Sequence, residues 1–286
     1  MPIDRRFAVL IDADNVSDKY VKIILDEVSN EGVANYKRIY GNWTSPNMAS
    51  WKNVLLDHSI TPIQQYSYTT GKNATDSAMI IDAMDILYSG KVEGFCLVSS
   101  DSDFTRLASR LREGGMMVIG MGERKTPKPF IAACNMFRYL DVLAAADAAP
   151  GPGAAQQPAP APAAPRSEAA QPPEPAEAAG AEAPARAAKK RPAKKKPAAP
   201  PPPPQEDPEL TAMRAAIRAI VAEQSDEDDW MGVSMIGNIL VKRYPDFDVR
   251  NFGFSKLTPF VKSLGIFEVK TEQNKDHTHQ AYVRIK

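Results

Sequence analysis

The chain has 286 residues, and its 35 basic and 35 acidic side chains give a formal net charge of zero. This balance excludes a protein that binds nucleic acid through a large positive net charge. It also excludes a strongly acidic protein. Two cysteines exclude a disulfide scaffold and favour a reducing compartment. No apolar run reaches the roughly 20 residues of a membrane span. We therefore expect a cytoplasmic protein without membrane attachment.

The prolines divide the chain into three parts. Most of the 25 prolines lie between residues 150 and 208, and no Phe, Trp or Tyr occurs from residue 140 to 229. Such a segment buries too little apolar surface to offset the entropy lost on ordering. We predict a domain at 1–143, a disordered Ala/Pro/Lys-rich linker at 144–206 and a second domain at 207–286. The lysine-rich run at 189–196 is either a solubilising charge run or a patch that binds polyanions.

The first domain alternates short apolar runs with segments that have apolar residues at helical spacing. The runs predict strands at residues 7–11, 36–40, 60–66, 95–98, 116–119 and 136–140. Helices are predicted around residues 21–28, 48–56, 79–87 and 104–111. This alternation is typical of a three-layer α/β/α fold with a mainly parallel sheet.

Acidic residues follow two of these strands. Asp12 ends the first strand, and Asp101 and Asp103 follow the strand at 95–98. Asp76 begins the third helix on its apolar face, whereas Asp82 falls off that face. In parallel sheets, ligands bind at the carboxyl ends of the strands, where these acids meet. Each aspartate taken alone is equally well explained as a helix cap.

Carboxylates held this close repel one another unless a cation neutralises them. Carboxylate oxygens without nearby histidine or cysteine favour hard cations such as Mg²⁺ or Mn²⁺. Such an ion polarises a phosphoryl oxygen and activates a water molecule. The pattern therefore points to metal-dependent hydrolysis of a phosphodiester.

Three motifs in this order resemble the NYN family, which comprises PIN-like, metal-dependent ribonuclease domains of the LabA/DUF88 group. The motifs are Val-Leu-Ile-Asp-Ala-Asp-Asn at 9–15, Lys-Asn-Ala-Thr-Asp at 72–76 and Ser-Ser-Asp-Ser-Asp-Phe at 99–104. The resemblance covers roughly residues 5–143 and implies a PIN-like fold.

The resemblance implies a catalytic and metal-binding site formed by Asp12, Asp76, Asp101 and Asp103. The first three are expected to coordinate Mg²⁺ or Mn²⁺, and Asp103 to bind it through water or to position the nucleophile. We expect Asn15, Lys72 and Lys125 to contact the substrate, the lysines as part of a phosphate-binding surface that also includes Arg124 and Lys128. Ordinary solvated loop charge is the alternative for the basic residues.

The second domain shows three amphipathic helical patterns, at residues 210–221, 233–240 and 257–264, followed by strand patterns at 266–270 and 281–285. Three helices and a β-ribbon in this length are typical of a small winged-helix α+β domain. Trp230 and Phe247 are interpreted as core residues.

Residues 244–248, Tyr-Pro-Asp-Phe-Asp, and 251–257, Asn-Phe-Gly-Phe-Ser-Lys-Leu, resemble the OST-HTH/LOTUS family. The resemblance covers about residues 207–286 and implies binding to RNA or to a protein partner. Basic residues outnumber acidic ones from Trp230 onward, which agrees with RNA. The candidate phosphate contacts are Lys256, Lys242, Arg243, Arg250 and Lys262.

Together these patterns predict a metal-dependent endoribonuclease with a tethered RNA-binding module. A non-catalytic RNA-binding scaffold is one alternative. A haloacid-dehalogenase-like phosphatase is another, because Asp-Ala-Asp-Asn-Val at 12–16 also resembles that family's nucleophile motif, with Asp12 as the nucleophile. The residues alone do not separate endonucleolytic from exonucleolytic cutting, and they do not define an oligomeric state.

Overall fold

The structure, a computed structural model, describes residues 4–66, 74–148, 208–224, 229–273 and 279–286. The predicted linker beyond residue 148, the substrate-binding candidate Lys72 and residues 274–278 therefore lie outside the described residues. Below, the first domain means the described residues up to 148, and the second domain means those from 208 onward.

The first domain is built on one six-stranded sheet in which every strand pair is parallel. The strands are β1 (Arg5–Asp12), β2 (Gly32–Gly41), β3 (Thr61–Gln64), β4 (Gly94–Val98), β5 (Met117–Gly122) and β6 (Met136–Tyr139). Their order across the sheet is β3-β2-β1-β4-β5-β6. The helices are α1 (Val21–Glu31), α2 (Ala49–Asp57), α3 (Ala74–Ser89), α4 (Thr105–Glu113), α5 (Lys128–Ala133) and α6 (Leu140–Ala148).

Helices cover both faces of this sheet because its central strands are apolar on both sides. Along β1, Phe7, Val9 and Ile11 pack with α1, α2 and α6. The alternating Ala8 and Leu10 pack with α3, α4 and α5 on the other face. Successive strand side chains point to opposite faces, so a fully apolar strand needs a helical layer on each side. The predicted three-layer α/β/α architecture with a parallel sheet is confirmed.

Two helices were not predicted from the sequence. The six-residue α5 begins just after Pro127 and is too short to show a helical period. The Ala-rich α6 continues to Ala148 and so includes residues assigned to the linker, because Leu140 and Leu143 at its start are buried.

The second domain has helices α7 (Pro208–Gln224), α8 (Val233–Arg243) and α9 (Leu257–Ser263), with strands β7 (Met231–Gly232), β8 (Phe267–Gln273) and β9 (His279–Ile285). The three strands form an antiparallel sheet in the order β7-β9-β8. Its core includes Ile217, Ile236, Leu240, Phe260 and Val283, all fully buried. The predicted small α+β domain is confirmed, and the short β7 is an addition to the predicted ribbon.

Among the described residues, no helix combines the length and the apolar character needed to cross a membrane.

Candidate active site

The centre of the sheet is the point where the chain reverses its direction of winding. From the centre to one edge of the sheet the strands are β1, β2 and β3. From the centre to the other edge they are β4, β5 and β6. The loops after the adjacent strands β1 and β4 therefore diverge and leave a crevice at their carboxyl ends. Asp12 is the last residue of β1, and Asp101 comes three residues after β4 ends.

Three carboxylates converge beside this crevice. Carboxylate oxygens of Asp76, Asp101 and Asp103 all lie within 4.8 Å of one another. Asp76 comes from the first turn of α3, which crosses from β3 to β4, and the other two come from the loop after β4. An ion that binds oxygen at about 2.1 Å places ligands on opposite sides about 4 Å apart, so this spacing suits one divalent cation.

Asp12 is fully buried and accepts three hydrogen bonds. The Asn15 side-chain amide and the Ser99 hydroxyl each donate to Oδ2 at 2.8 Å, and the Asp14 backbone N–H donates to Oδ1 at 3.0 Å. Burial raises the pKa of Asp12, and the three donors oppose that rise. The carboxylate is therefore held in one orientation, next to the group of three acids but outside it.

Ser99 links the loops after β1 and β4. Its hydroxyl donates to Asp12 and accepts the Asp101 backbone N–H at 3.0 Å. Asp101 Oδ1 in turn accepts the Asp103 backbone N–H at 2.9 Å, which makes Asp101 the cap of a short 3₁₀ turn. Gly122 at the end of β5 lies so close that an added Cβ would be 2.7 Å from the Ser99 carbonyl oxygen.

Several negative charges surround Asp76. The pKa of Asp76 is raised to about 6, first by burial and then by the charges of Asp12, Asp101, Asp103 and Asp14. A carboxylate becomes this hard to ionise when other carboxylates surround it in a partly desolvated site. A bound divalent cation would remove the repulsion, so the residues present fit the metal that the sequence implies.

The family model for the NYN domain matches residues 6–141, and that for the OST-HTH/LOTUS domain matches residues 208–278. The first domain is an NYN domain. The second is an OST-HTH/LOTUS domain. A search of the curated proteins gives no match.

One solved structure similar to the chain is that of a protein of unknown function from Vibrio parahaemolyticus RIMD 2210633. The two are 19% identical, with a TM-score of 0.42, over 49% of this chain and 94% of that protein.

Asp82, on the same helix of the NYN domain as Asp76, has structural partners instead. It contacts the guanidinium of Arg38 and the hydroxyl of Tyr40, which is fully buried. Burial, followed by the bond to Asp82, raises the pKa of Tyr40 above its ordinary value. Asp82 is not in the group of three convergent acids, in agreement with its predicted position off the site-facing side of α3.

The predicted substrate-binding residues of the NYN domain lie in different surroundings. Asn15 is exposed and bonded to Asp12, whereas Lys72 lies outside the described residues. Lys125 is exposed and pairs with Glu123 at 2.9 Å, and this pairing raises the lysine pKa. The guanidinium of Arg124 donates to the Asn251 carbonyl oxygen of the second domain at 3.2 Å.

In the OST-HTH/LOTUS domain, Lys256 is exposed just before α9. Phe247 is buried in the core, as predicted. Trp230 is only partly buried, with the Lys270 ammonium 4.2 Å and the Arg284 guanidinium 4.8 Å from its ring centroid. The interpretation of Trp230 as a core residue is therefore wrong, because its ring packs against cations of the ribbon.

Neither cysteine of the NYN domain contributes to the site. Cys96 and Cys134 are buried and unpaired, and burial raises the pKa of both thiols, that of Cys134 to about 12. Such thiols remain protonated at neutral pH and act as small apolar side chains.

The residue that sequence reasoning missed is Ser99. It precedes the acids within the recognised Ser-Ser-Asp-Ser-Asp motif, but a serine at a strand end has no distinctive signal of its own. Its role is visible only once β1 and β4 are known to be adjacent and in register from Phe7–Gly94 to Ile11–Val98.

Proposed function

We propose that the chain is a metal-dependent endoribonuclease whose second domain binds RNA. One observation carries the proposal: Asp76, Asp101 and Asp103 present oxygens within 4.8 Å of one another at the carboxyl edge of an NYN domain. NYN domains belong to the PIN-like nuclease superfamily, and the convergent acids supply the ligand type that Mg²⁺ and Mn²⁺ prefer.

In this proposal Asp76 and Asp101 hold the divalent cation together with Asp12, and Asp103 acts through a water molecule. When bound, the cation supplies a Lewis acid for the phosphoryl oxygen and lowers the pKa of a water molecule. Asp12 is fixed by three hydrogen bonds, which keeps one carboxylate oriented without reorganisation.

Asp103 is the exposed member of the group, whereas Asp76 is 8% exposed. We assign Asp103 to the side from which the scissile phosphate arrives, where it positions the attacking water. Asn15, which is also exposed and bonds Asp12, is assigned to contact with the substrate.

The OST-HTH/LOTUS domain supports the choice of RNA as substrate. Its basic surplus lies from Trp230 onward, and Lys256 is exposed for contact with phosphate. Lys72 and Lys125 are assigned to phosphate contacts near the acids. We place the protein in the cytoplasm, because two unpaired cysteines suit a reducing compartment.

A circular single-stranded RNA tests this function, because it has no ends for an exonuclease. We expect Mn²⁺ or Mg²⁺ to support its conversion to linear RNA and then to fragments, and we expect a chelator to stop the reaction. A matched circular DNA and a generic phosphomonoester, incubated under the same conditions, report on substrate class.

Each rival function gives a different result in this assay. Release of phosphate from the phosphomonoester with the RNA intact would indicate a phosphatase. RNA that is bound but uncut with either metal would indicate a non-catalytic scaffold. Cutting of linear but not circular RNA would change the assignment to an exonuclease.

A further inference from the structure

The second domain packs against the edge strand of the NYN sheet. The outward N–H of Phe137 in β6 donates to the Pro245 carbonyl oxygen at 2.7 Å, and the Tyr139 hydroxyl donates to Asp246 at 3.0 Å. An edge strand has unpaired backbone groups on its outer side, and here Pro245 uses one of them.

An ion-pair network fixes this contact. Arg138, with a side chain 14% exposed, lies 3.3 Å from both Glu27 of α1 and Asp248 of the second domain. Arg250 of the second domain contacts the same Glu27 at 2.6 Å and Asp248 at 2.7 Å. Charges this buried are tolerated only when their partners are well placed, so the network specifies one docked position.

A groove remains between the two domains beside this contact. It consists of two cavities, of about 540 Å³ and 360 Å³, that share Ala132, Arg243 and Pro245 in their walls. We call it the interdomain groove. Its charged lining residues in the larger cavity are all basic: Arg5, Arg112, Lys242 and Arg243.

Most of this positive charge has no ion-pair partner among the described residues. Arg112 donates to the uncharged carbonyl oxygens of Ala132 and Ala133. Arg5 and Lys242 form no ion pair with any described residue. A concave surface with one sign of charge focuses the electrostatic potential and attracts polyanions.

The smaller cavity extends the groove toward the carboxyl edge of the sheet, with Arg124 and Lys128 opposed by Glu209 and Asp246. The residue before Arg124 is Glu123, whose backbone N–H donates to the Ser100 hydroxyl at 2.9 Å.

Ser100 directly precedes the metal-site candidate Asp101. One end of the groove lies at Arg5, near the amino end of β1, and the Arg124 end is connected through Glu123 and Ser100 to the loop that carries Asp101.

We propose that the interdomain groove binds the phosphate backbone of single-stranded RNA and leads it to the acidic cluster. The inference rests on the proposed ribonuclease function for its choice of polyanion. The two cavities, of about 540 Å³ and 360 Å³, have the size of small-ligand sites, so we take an extended single strand and not a duplex as the occupant. Arginine and lysine contacts to phosphate position a strand without reading its sequence.

The test is the salt dependence of RNA binding by the full-length chain in a chelator, where nothing is cut. The variant combines Arg5→Gln, Lys128→Gln and Lys242→Gln, which removes three groove charges that have no described ion pair. Each lost phosphate contact lowers the slope of log K against log salt by about 0.7, so we expect a decrease of about 2. We also expect binding about ten- to a hundredfold weaker at low salt.

A matched control removes the same charge elsewhere, through Lys52→Gln, Lys91→Gln and Arg218→Gln. Like the groove variant it replaces one arginine and two lysines, two in the first domain and one in the second, and all three are exposed. It should bind as the unaltered protein does, and thermal unfolding should show that both variants fold.

Equal weakening in both triple variants would overturn the proposal, because only overall charge would then matter. Unchanged binding by the groove variant, or equally tight and equally sensitive binding of duplex RNA, would also overturn it. Cleavage measured in parallel with Mn²⁺ separates the two hypotheses. If the unaltered protein cuts RNA and the groove variant binds RNA as tightly as it does, the groove proposal is rejected and the nuclease proposal stands. If the groove variant binds RNA more weakly but the unaltered protein cuts nothing, the nuclease proposal is rejected and the groove proposal stands.

Discussion

At the scale of single residues, the charge of Asp76 opposes folding of the metal-free protein. Burial and neighbouring carboxylates raise its pKa to about 6, above the value of about 4 in an unfolded chain. The folded state therefore holds this proton more tightly than the unfolded state does. The corresponding stability is fully present below about pH 4 and is lost as the pH rises through about 6.

The first prediction follows from this destabilising effect of the ionised Asp76. Without metal, Asp76→Asn should raise the free energy of unfolding at pH 7.5 by about 1 kcal/mol after allowance for solvent screening, and the gain should vanish near pH 4. Thermal unfolding in a chelator across this pH range measures it. Asp85→Asn, exposed on the same helix, should show no such pH-dependent gain. A destabilised Asp76→Asn protein at pH 7.5 would contradict the repulsion.

The second prediction concerns Ser99. Ser99→Ala removes the donor to buried Asp12 and the acceptor of the Asp101 N–H. We expect the free energy of unfolding to fall by about 1–3 kcal/mol and cleavage to fall by about 10–100-fold, because the carboxylate loses its fixed orientation. Ser109→Ala is the control, because among the described residues the Ser109 hydroxyl donates only to the Thr105 carbonyl oxygen of its own helix. Wild-type cleavage in a folded Ser99→Ala protein would show that the link is dispensable.

The position of the acids at the sheet edge was predictable from the sequence, and their hydrogen-bond donors were not. Asp12 and Asp101 end or follow apolar runs, which places them at the sheet edge without further information. Ser99 acts on a residue 87 positions away, and that pairing depends on strand order. A single sequence shows which residues end strands and does not show which strands are neighbours.

At the scale of elements, α3 carries two aspartates with different partners. Asp76 faces the other acids, and Asp82, six residues later, faces Arg38 and Tyr40. Six residues are one and two-thirds turns, so the two side chains leave the helix in different directions.

The third prediction uses this pair. Asp82→Asn should leave metal-dependent cleavage unchanged and lower the free energy of unfolding by about 1–2 kcal/mol, because the buried Tyr40 hydroxyl and Arg38 lose a charged acceptor. Asp76→Asn should have the reverse effects, lost cleavage and no lost stability without metal. Initial cleavage rates and chemical unfolding of both variants provide the check. Lost cleavage in a folded Asp82→Asn protein would move the site to the other face of α3.

The elements with a clear period were predicted, and those without one were missed. The strands of the sheet and helices α1 to α4 all show apolar runs or helical spacing in the sequence. Helix α5 has six residues and strand β7 has two, too few for any period to appear. The Ala-rich end of α6 resembles the linker in composition, although Leu140 and Leu143 hold its first turns against the core.

At the scale of the whole molecule, the two domains are in contact and not only tethered. The interface joins residues more than a hundred positions apart, such as Tyr139 with Asp246 and Glu27 with Arg250. No local pattern announces such a contact. In the sequence, each interface residue is an ordinary polar residue. Its role is clear only when the structure shows that the edge strand β6 contacts the segment at 244–251.

The fourth prediction concerns this docking. Arg138→Gln leaves Glu27 and Asp248 with one arginine between them, so the docked state should weaken. Because the Phe137 amide bonds Pro245 only when docked, its hydrogen exchange should quicken by about tenfold or more. Arg284→Gln, which removes an exposed pair within the second domain, is the control. Unchanged exchange at Phe137 in the Arg138→Gln protein would show that the network does not hold the domains together.

Metal-dependent RNA cleavage by Asp101→Asn is the most direct test of the proposed nuclease site. Asparagine keeps the oxygen that caps the 3₁₀ turn and removes only the charge, so the fold should persist. We expect loss of Mn²⁺- and Mg²⁺-dependent cutting of circular RNA and loss of Mn²⁺ binding by calorimetry, with Asp85→Asn unaffected in both. Full cleavage by a folded Asp101→Asn protein would contradict the assignment of the carboxyl-edge acids as the metal site.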